Sequence, residues 1–287
     1  MMKYNEKYNI IVRRSDGYFF QYESEKWAIL SVEGADFTKI EVFKEPRGFG
    51  NGDIITGKRK LSREVSITVV ARDIEEYPLI RDEIMAFHNS NYTFNLEITY
   101  QGRTLNLKEA EISDIIYPTE RYGRNAILAV SFLSPYSDLF ANSVDSTDFS
   151  SSKALWHDTR VYEGKTGKFA FSELVRTTEK VINYLGSEPA SPIITVTATG
   201  YVPGITIEIG DLKTEIKTNL YKGDVLKIDC EKKSVYKNGA LVSLSNYNLW
   251  GIAALKIKYG DNNVKIYNTQ SSAFHSEISY IGRYGGL

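Results

Sequence analysis

The stretch that decides the fold is LSREVSITVVA, residues 61–71. From Val65 to Val69, apolar β-branched side chains occupy every second position and alternate with a serine and a threonine. Alternation with a period of two is typical of a β-strand with one buried face. The stretch FNLEITY, residues 94–100, repeats the pattern, and short runs of the same kind recur between Gly- and Asp-containing turns. The sequence therefore predicts a mainly β protein.

Between these two strands the periodicity changes and predicts one short helix at about 77–89. Ile80, Ile84 and Phe87 fall at positions i, i+4 and i+7, which places them on one face of a helix. Pro78 lies in the first turn, where its missing N–H costs no hydrogen bond. We expect an amphipathic helix that packs on a sheet.

The length of 287 residues predicts two domains. Residues 141–160 are rich in Ser and Asp and lose periodicity, so they are predicted to be a linker between residues 1–140 and residues 161–287. In the second part, short strands recur every 8 to 12 residues or so, and Asn238-Gly239 is a strong hairpin turn signal. This pattern predicts an antiparallel β-sandwich.

Composition excludes several classes of protein. The chain has 35 Lys+Arg against 36 Asp+Glu, so it lacks the basic field of a nucleic-acid-binding protein. Its one cysteine, Cys230, excludes an internal disulfide and a Cys-based zinc cluster. The longest apolar-rich run, residues 126–133, is far shorter than the roughly 20 residues that span a bilayer. We expect a cytoplasmic product without membrane insertion.

No motif predicts catalysis, a metal site or a cofactor. His88, His157 and His275 lie far apart and lack the spacing of a metal-binding helix. Residues 52–58 (GDIITGK) match a phosphate-binding loop, but Arg59 replaces the required Ser or Thr and a strand pattern follows. We therefore expect a protein that is not an enzyme.

Two tryptophans leave a second function open. Trp156 and Trp250 are candidate carbohydrate contacts, because exposed indole rings supply a flat surface for a sugar. The alternative is thus a carbohydrate-binding β-sandwich protein for cell-wall attachment. A glycoside hydrolase is a weaker third possibility, since such enzymes use two acids whose spacing the sequence does not reveal.

The order of features resembles one known family. In the first half it runs through a strand that ends in Val32-Glu33-Gly34, a Gly-rich tip, the basic strand at residues 58–65, the helix, and a strand that ends in Ser134-Pro135-Tyr136. This order resembles the distal tail protein (Dit) family of long-tailed phages and related tail-like bacteriocins. The second half (KGDVLKID at 222–229, the Asn238-Gly239 turn, YGDNNV at 259–264 and ISY at 278–280) is similar to that family's galectin-like C-terminal sandwich.

The resemblance implies a structural virion protein at the tail tip or baseplate, assembled in the host bacterial cytoplasm. It implies an N-terminal ring-forming β domain that makes a homo-hexameric ring. The implied partners are the tail tube protein and the tail-tip hub or tail-associated lysin protein, and the second domain can carry a receptor-binding protein. No sequence-specific nucleic acid and no cofactor are implied.

Within such a ring, the segment at residues 48–71 is the candidate hairpin for contact with a neighbouring subunit. The alternative is that its charges only solvate an exposed strand. The candidate ring-interface residues are Arg59, Lys60, Arg63, Glu64 and Asp73.

Overall fold

The computed structural model describes residues 8–72, 77–116, 127–154, 172–176, 179–268 and 273–287. It divides into two compact units: unit 1 contains the described residues up to Asn142 together with Arg283–Leu287, and unit 2 contains Ser143–Gly282. The chain leaves unit 1 within one strand and re-enters it within the last strand. Unit 2 is therefore inserted between two pieces of unit 1.

Unit 1 is built from strands and one helix. Their bounds are β1 Asn9–Arg14, β2 Phe19–Gln21, β3 Trp27–Glu33, β4 Ile40–Pro46, β5 Asp53–Lys60, β6 Arg63–Ala71, α1 Tyr77–Phe87, β7 Phe94–Tyr100, β8 Arg103–Ile116, β9 Ile127–Ser134 and the start of β10 Leu139–Asp148. The mainly β fold and the helix between β6 and β7 are as the alternation and the change of period predict.

Two antiparallel sheets of unit 1 share the long strand β8. The first has the order β2-β1-β7-β8, and the second has the order β8-β9-β6-β3. Glu109 has a φ of 50°, and its N–H donates to Asn95 Oδ1 at 3.0 Å. This irregularity lies where β8 passes from pairing with β7 to pairing with β9.

The core of unit 1 is filled from both sheets and from the helix. Val12 and Leu96 of the first sheet, Ile67 of the second, and Ile84 and Phe87 of α1 belong to one buried cluster. The alternating pattern of β6 is thus a consequence of burying one face of the strand, while the other face is half-buried or exposed.

Unit 2 consists mainly of two antiparallel sheets. The remaining bounds are β11 Ser150–Ala154, β12 Ser172–Arg176, β13 Glu179–Tyr184, β14 Ile193–Ala198, β15 Ile205–Ile209, β16 Leu212–Ile216, β17 Val225–Asp229, β18 Ser234–Lys237, β19 Ala240–Leu241, a 3-10 turn Leu244–Asn246, α2 Leu249–Ala254, β20 Gly260–Tyr267 and β21 Phe274–Tyr284. One sheet has the order β19-β18-β17-β14-β21 and the other β13-β20-β15-β16. Its galectin-like character stays a prediction.

Both positions of the predicted hairpin turn in unit 2 have positive φ, 50° for Asn238 and 83° for Gly239, and they join β18 to β19.

The predicted linker at 141–160 is different from what the structure shows. Strand β10 runs through to Asp148 and β11 follows at once, so the described part of this range is mostly strand. Polar side chains dominate there because β10 is largely exposed beyond Ala141. The sequence also missed α2, which at six residues is too short to show a helical period.

Candidate functional site

The segment at residues 48–71 that the sequence proposes for assembly is not a single hairpin. Its strand β5 pairs with β4, which precedes the segment, whereas β6 pairs with β3 and β9. Strands β4 and β5 pair with each other and, among the described residues, with no other strand. The connecting tip, residues 47–52, contains Gly50 and Gly52 with φ of 112° and 94°, values that glycine adopts without strain. We call residues 40–60 the hairpin arm.

Apolar side chains lie on both faces of the hairpin arm. Ile40 and Val42 share one face, and Ile55, which pairs with Lys44, lies on the same face. Phe43 lies on the opposite face with Ile54. All five side chains are exposed, and Phe49 at the tip is fully exposed. The arm therefore has no buried face within unit 1.

The predicted charges of the arm have partners within the same chain. Arg59 Nε lies 2.6 Å from Glu41 Oε2, and its guanidinium lies 5.8 Å from the centre of the Phe43 ring. Lys60 Nζ lies 3.4 Å from Asp138 Oδ1. The Arg59–Glu41 pair is exposed, so it contributes at most about 1 kcal/mol to stability and leaves both groups accessible.

Arg63 is placed differently from the prediction. Its side chain is buried, with 1% of the residue exposed, and is therefore not available to a neighbouring subunit. Nε donates to the carbonyl of Ser137 at 2.9 Å, and Nη1 donates to the carbonyls of Gly34 and Ala35 at 2.9 and 3.0 Å. Nη2 donates to Thr38 Oγ1 and to the carbonyl of Gly285.

Arg63 thus joins three segments that are distant in the chain: the loop after β3, the turn between β9 and β10, and residues 283–287. A lysine has one compact cationic head and does not reproduce these diverging donors. The sequence showed only a basic residue at the start of a strand, so the burial of Arg63 was not apparent from the pattern.

The two remaining candidate interface residues are Glu64 and Asp73. Glu64 is exposed at the start of β6, where its Oε1 accepts a hydrogen bond from Ser113 Oγ at 2.9 Å. Asp73 lies outside the described residues. In the structure, Arg59 and Lys60 therefore belong to the arm, Glu64 lies beyond its base, and Arg63 is buried in the interior of unit 1.

The candidate carbohydrate residues belong to the second half of the chain. Trp250 lies in the first turn of α2 and is 77% exposed. Its backbone N–H donates to Oδ1 of Asn248, the residue that caps the helix, at 3.1 Å. Trp156 lies outside the described residues.

His88, which follows α1, is a buried structural group. Its Nδ1 lies 2.9 Å from the carbonyl of Ile84, so Nδ1 carries the proton, and Nε2 accepts from the hydroxyl of Tyr22 at 2.6 Å. Burial of the ring lowers the pKa of His88 to about 4. The neutral imidazole is thus the form that the folded unit 1 holds.

We expect the stability of unit 1 to decrease as the pH falls from 6.5 to 4. The unfolded chain takes up a proton at His88 near pH 6.5, whereas the folded chain resists it until about pH 4. The free energy of unfolding is unaffected by His88 well above pH 6.5, and at pH 4 it is about 3 kcal/mol lower. Urea unfolding at several pH values should show this slope, and His88→Gln should flatten it. The same slope in both proteins would contradict the assignment.

Cys230 is buried in unit 2. Burial raises the pKa of the Cys230 thiol to about 12, so it is held as an unreactive thiol. Across the described ranges, no group of three or more His, Cys, Asp or Glu side chains is arranged to hold a metal ion. Neither described helix has the length and apolar character needed to cross a bilayer.

Comparison with known proteins places the fold. Residues 185–284 match the family described as siphovirus-type tail component, C-terminal domain. A search of curated proteins by sequence found no match. Among solved structures, the chain is similar to the SPP1 Dit protein (gp 19.1), described as a paradigm of the hub adsorption apparatus in phages that infect Gram-positive bacteria. The TM-score is 0.64 at 12% identity, covering 96% of this chain and 98% of that chain.

A further similarity is to the baseplate of phage P2 in its activated conformation, with a TM-score of 0.44 at 8% identity over 98% of this chain and 99% of that chain. The family match and the SPP1 Dit fold agree with the order of features in the sequence. Residues 185–284 therefore belong to the siphovirus-type tail component family as its C-terminal domain, and the chain as a whole has the fold of the SPP1 Dit protein.

Proposed function

We propose that this structural tail component forms a hexameric ring that joins the tail tube to the tail-tip hub. Its family supports a structural role in the virion, and the similar SPP1 Dit protein belongs to a hub adsorption apparatus. The observation that carries the proposal is the hairpin arm, which exposes apolar side chains on both faces.

An isolated two-stranded hairpin is at best marginally stable in water. The arm nevertheless consists of two strands of seven and eight residues without a supporting layer in unit 1. Covering both faces removes the apolar side chains from water, at about 25 cal/mol for each Å² buried. We infer that a second copy of the chain supplies this cover.

A closed ring needs two different faces on each subunit, one of which receives the other. A cavity of about 340 Å³ lies beside the base of the arm and is lined in part by Phe37, Leu61 and Leu133. Phe37 and Leu133 are exposed, so they offer apolar surface to a neighbour. We propose that this surface of one subunit receives the arm of the next.

The charges of the arm surround this apolar contact. Arg59 and Lys60 remain candidate residues of the proposed interface, because their ion pairs are not deeply buried and can rearrange. Glu64 and Asp73 remain candidates for the receiving subunit. Such charges at the edge of an interface affect which partner is chosen and how fast it binds more than they affect final affinity.

The same proposal assigns the partners. The ring would contact the tail tube protein on one side and the hub or tail-associated lysin protein on the other, with assembly in the host cytoplasm. Unit 2 is the candidate carrier of a receptor-binding protein. No catalytic step is part of this role.

The experiment is light scattering coupled to size exclusion, on the protein alone and after mixing with tail tube and hub proteins. We expect a hexamer for the unaltered chain in at least one of these conditions. The double variant Phe43→Ser/Ile54→Ser should shift the population to monomer, because it places polar groups on one face of the arm without touching the core of unit 1.

The matched control is Tyr259→Ser, which alters an exposed aromatic residue in unit 2. It should leave the oligomeric state unchanged. A chain that stays monomeric alone and with both partners would overturn the ring, and a double variant that still forms hexamers would remove the arm from the interface.

A further inference from the structure

Unit 2 has a polar cavity next to the exposed tryptophan of α2. The cavity has a volume of about 370 Å³ and lies between residues 213–217 of the β16 region and residues 245–248, which lead into the helix. Trp250 follows two residues later. We propose that the cavity and Trp250 together form a binding site for a neutral oligosaccharide.

The cavity offers hydrogen-bonding groups that are not used within the described structure. Asn248 is held in place because its Oδ1 accepts from the backbone N–H of Trp250, which leaves the two N–H groups of its Nδ2 for a ligand. Asn246 is half-buried, and its Nδ2 also donates to none of the described residues. An amide that combines a donor and an acceptor suits the adjacent hydroxyls of a sugar ring.

A third group in the cavity wall is Thr214. It is only 3% exposed, and its Oγ1 has no hydrogen-bond partner among the described residues. A buried hydroxyl without a partner costs about 1–3 kcal/mol. It lies against Gly251, where an added Cβ would come within 2.5 Å of Oγ1. Because Oγ1 is enclosed, it is not counted among the groups that the cavity offers to a ligand.

The charges of the cavity favour a neutral ligand over an anion. Lys213 Nζ lies 3.0 Å from the hydroxyl of Tyr267 and 3.2 Å from Glu208 Oε1, so its charge is already balanced. Lys217 Nζ lies 4.0 Å from Glu215 Oε2. Each of these amines has an acidic partner, so the cavity offers an anion no unpaired cation among its described lining residues, and its amide groups remain available to a neutral ligand.

Trp250 supplies the aromatic surface that these polar groups lack. A sugar ring has one face of C–H groups that lies flat on an aromatic ring, while its hydroxyls point outward to hydrogen-bonding groups. Trp250 does not line the cavity, but its backbone N–H is bonded to Asn248, which does, and its side chain is 77% exposed, so an indole turned toward the cavity would meet both requirements. Tryptophan is also enriched at protein interfaces, so a protein partner is the competing occupant that the experiment must separate from a sugar.

The test uses saturation-transfer NMR on the complete chain with a panel of neutral oligosaccharides built from glucose, galactose, N-acetylglucosamine or rhamnose. We expect at least one of them to bind with a Kd on the order of 1 mM or tighter. Trp250→Ala should weaken that binding at least about tenfold, and Asn246→Ala should weaken it less.

Tyr259→Ala is the control, because this residue is 74% exposed and does not line the cavity. It should bind the same sugar unchanged, and circular dichroism should show that all three variants are folded. No binding of any sugar at about 10 mM, or equal binding by Trp250→Ala, would overturn the site. A Trp250-dependent complex with another tail protein, in the absence of any bound sugar, would overturn it as well. The site does not depend on the ring, so the two proposals fail separately.

Discussion

Replacing Arg63 with methionine should destabilise unit 1 by about 3–5 kcal/mol. The substitution keeps an unbranched stem but removes every donor to the carbonyls of Gly34, Ala35, Ser137 and Gly285 and to Thr38 Oγ1. These acceptors stay in the interior without a hydrogen bond unless water enters. Arg63→Lys should recover only part of the loss, because one ammonium group cannot reach all of them.

Unit 1 has its own spectroscopic probe for this measurement. Trp27 is buried in its core, so a background with Trp156→Phe and Trp250→Phe leaves only that indole to report urea unfolding. The control is Arg59→Met, which removes an exposed arginine from the arm and should cost less than about 1 kcal/mol. Similar losses for the two variants would show that the buried contacts of Arg63 contribute little.

A second large effect is expected for Gly34→Ala, with a loss of about 3–5 kcal/mol. Gly34 has a φ of 82°, and a Cβ added there would lie 1.9 Å from the carbonyl oxygen of Glu64. The left-handed backbone alone costs a residue with a side chain about 1–2 kcal/mol. The remainder arises because the backbone of β6 must move away.

Gly17→Ala separates these two contributions. Gly17 has a similar φ of 95°, but nothing lies within 4 Å of an added Cβ. It should show only the backbone cost of about 1–2 kcal/mol, measured by the same unfolding of Trp27 fluorescence. If both alanine variants lost equal stability, the close approach of Gly34 to Glu64 would have no energetic consequence.

Much of the fold is visible in the sequence because it follows from short-range periodicity. The alternation in β6 and β7, the helical spacing of Ile84 and Phe87, and the positive φ of Asn238 are properties of neighbouring residues. The sequence failed where periodicity is absent. Most side chains of β10 are exposed and polar, so this strand lacks the alternation of apolar and polar residues that identifies a strand in sequence.

The candidate site was visible only in part. The Gly-rich tip and the basic residues led to β5 of the hairpin arm. The predicted strand at residues 58–65 is divided in the structure, because β5 ends at Lys60 and β6 begins at Arg63. The sequence pattern did not distinguish Arg59, which is exposed, from Arg63, which is buried four residues later. A basic side chain at a strand end has the same appearance in sequence whether it faces water or a set of carbonyl groups.

The amino-acid sequence by itself determined the β architecture, the helix after β6 and the order of features that resembles the distal tail protein family, because each depends on residues close together in the chain. Only the tertiary structure decided that Arg63 is buried, that residues 283–287 return to unit 1 and that the arm lacks a supporting layer. These features depend on contacts such as that between Arg63 and Gly285, which are 222 positions apart. No local pattern encodes such a contact, because it forms only when the whole chain has folded.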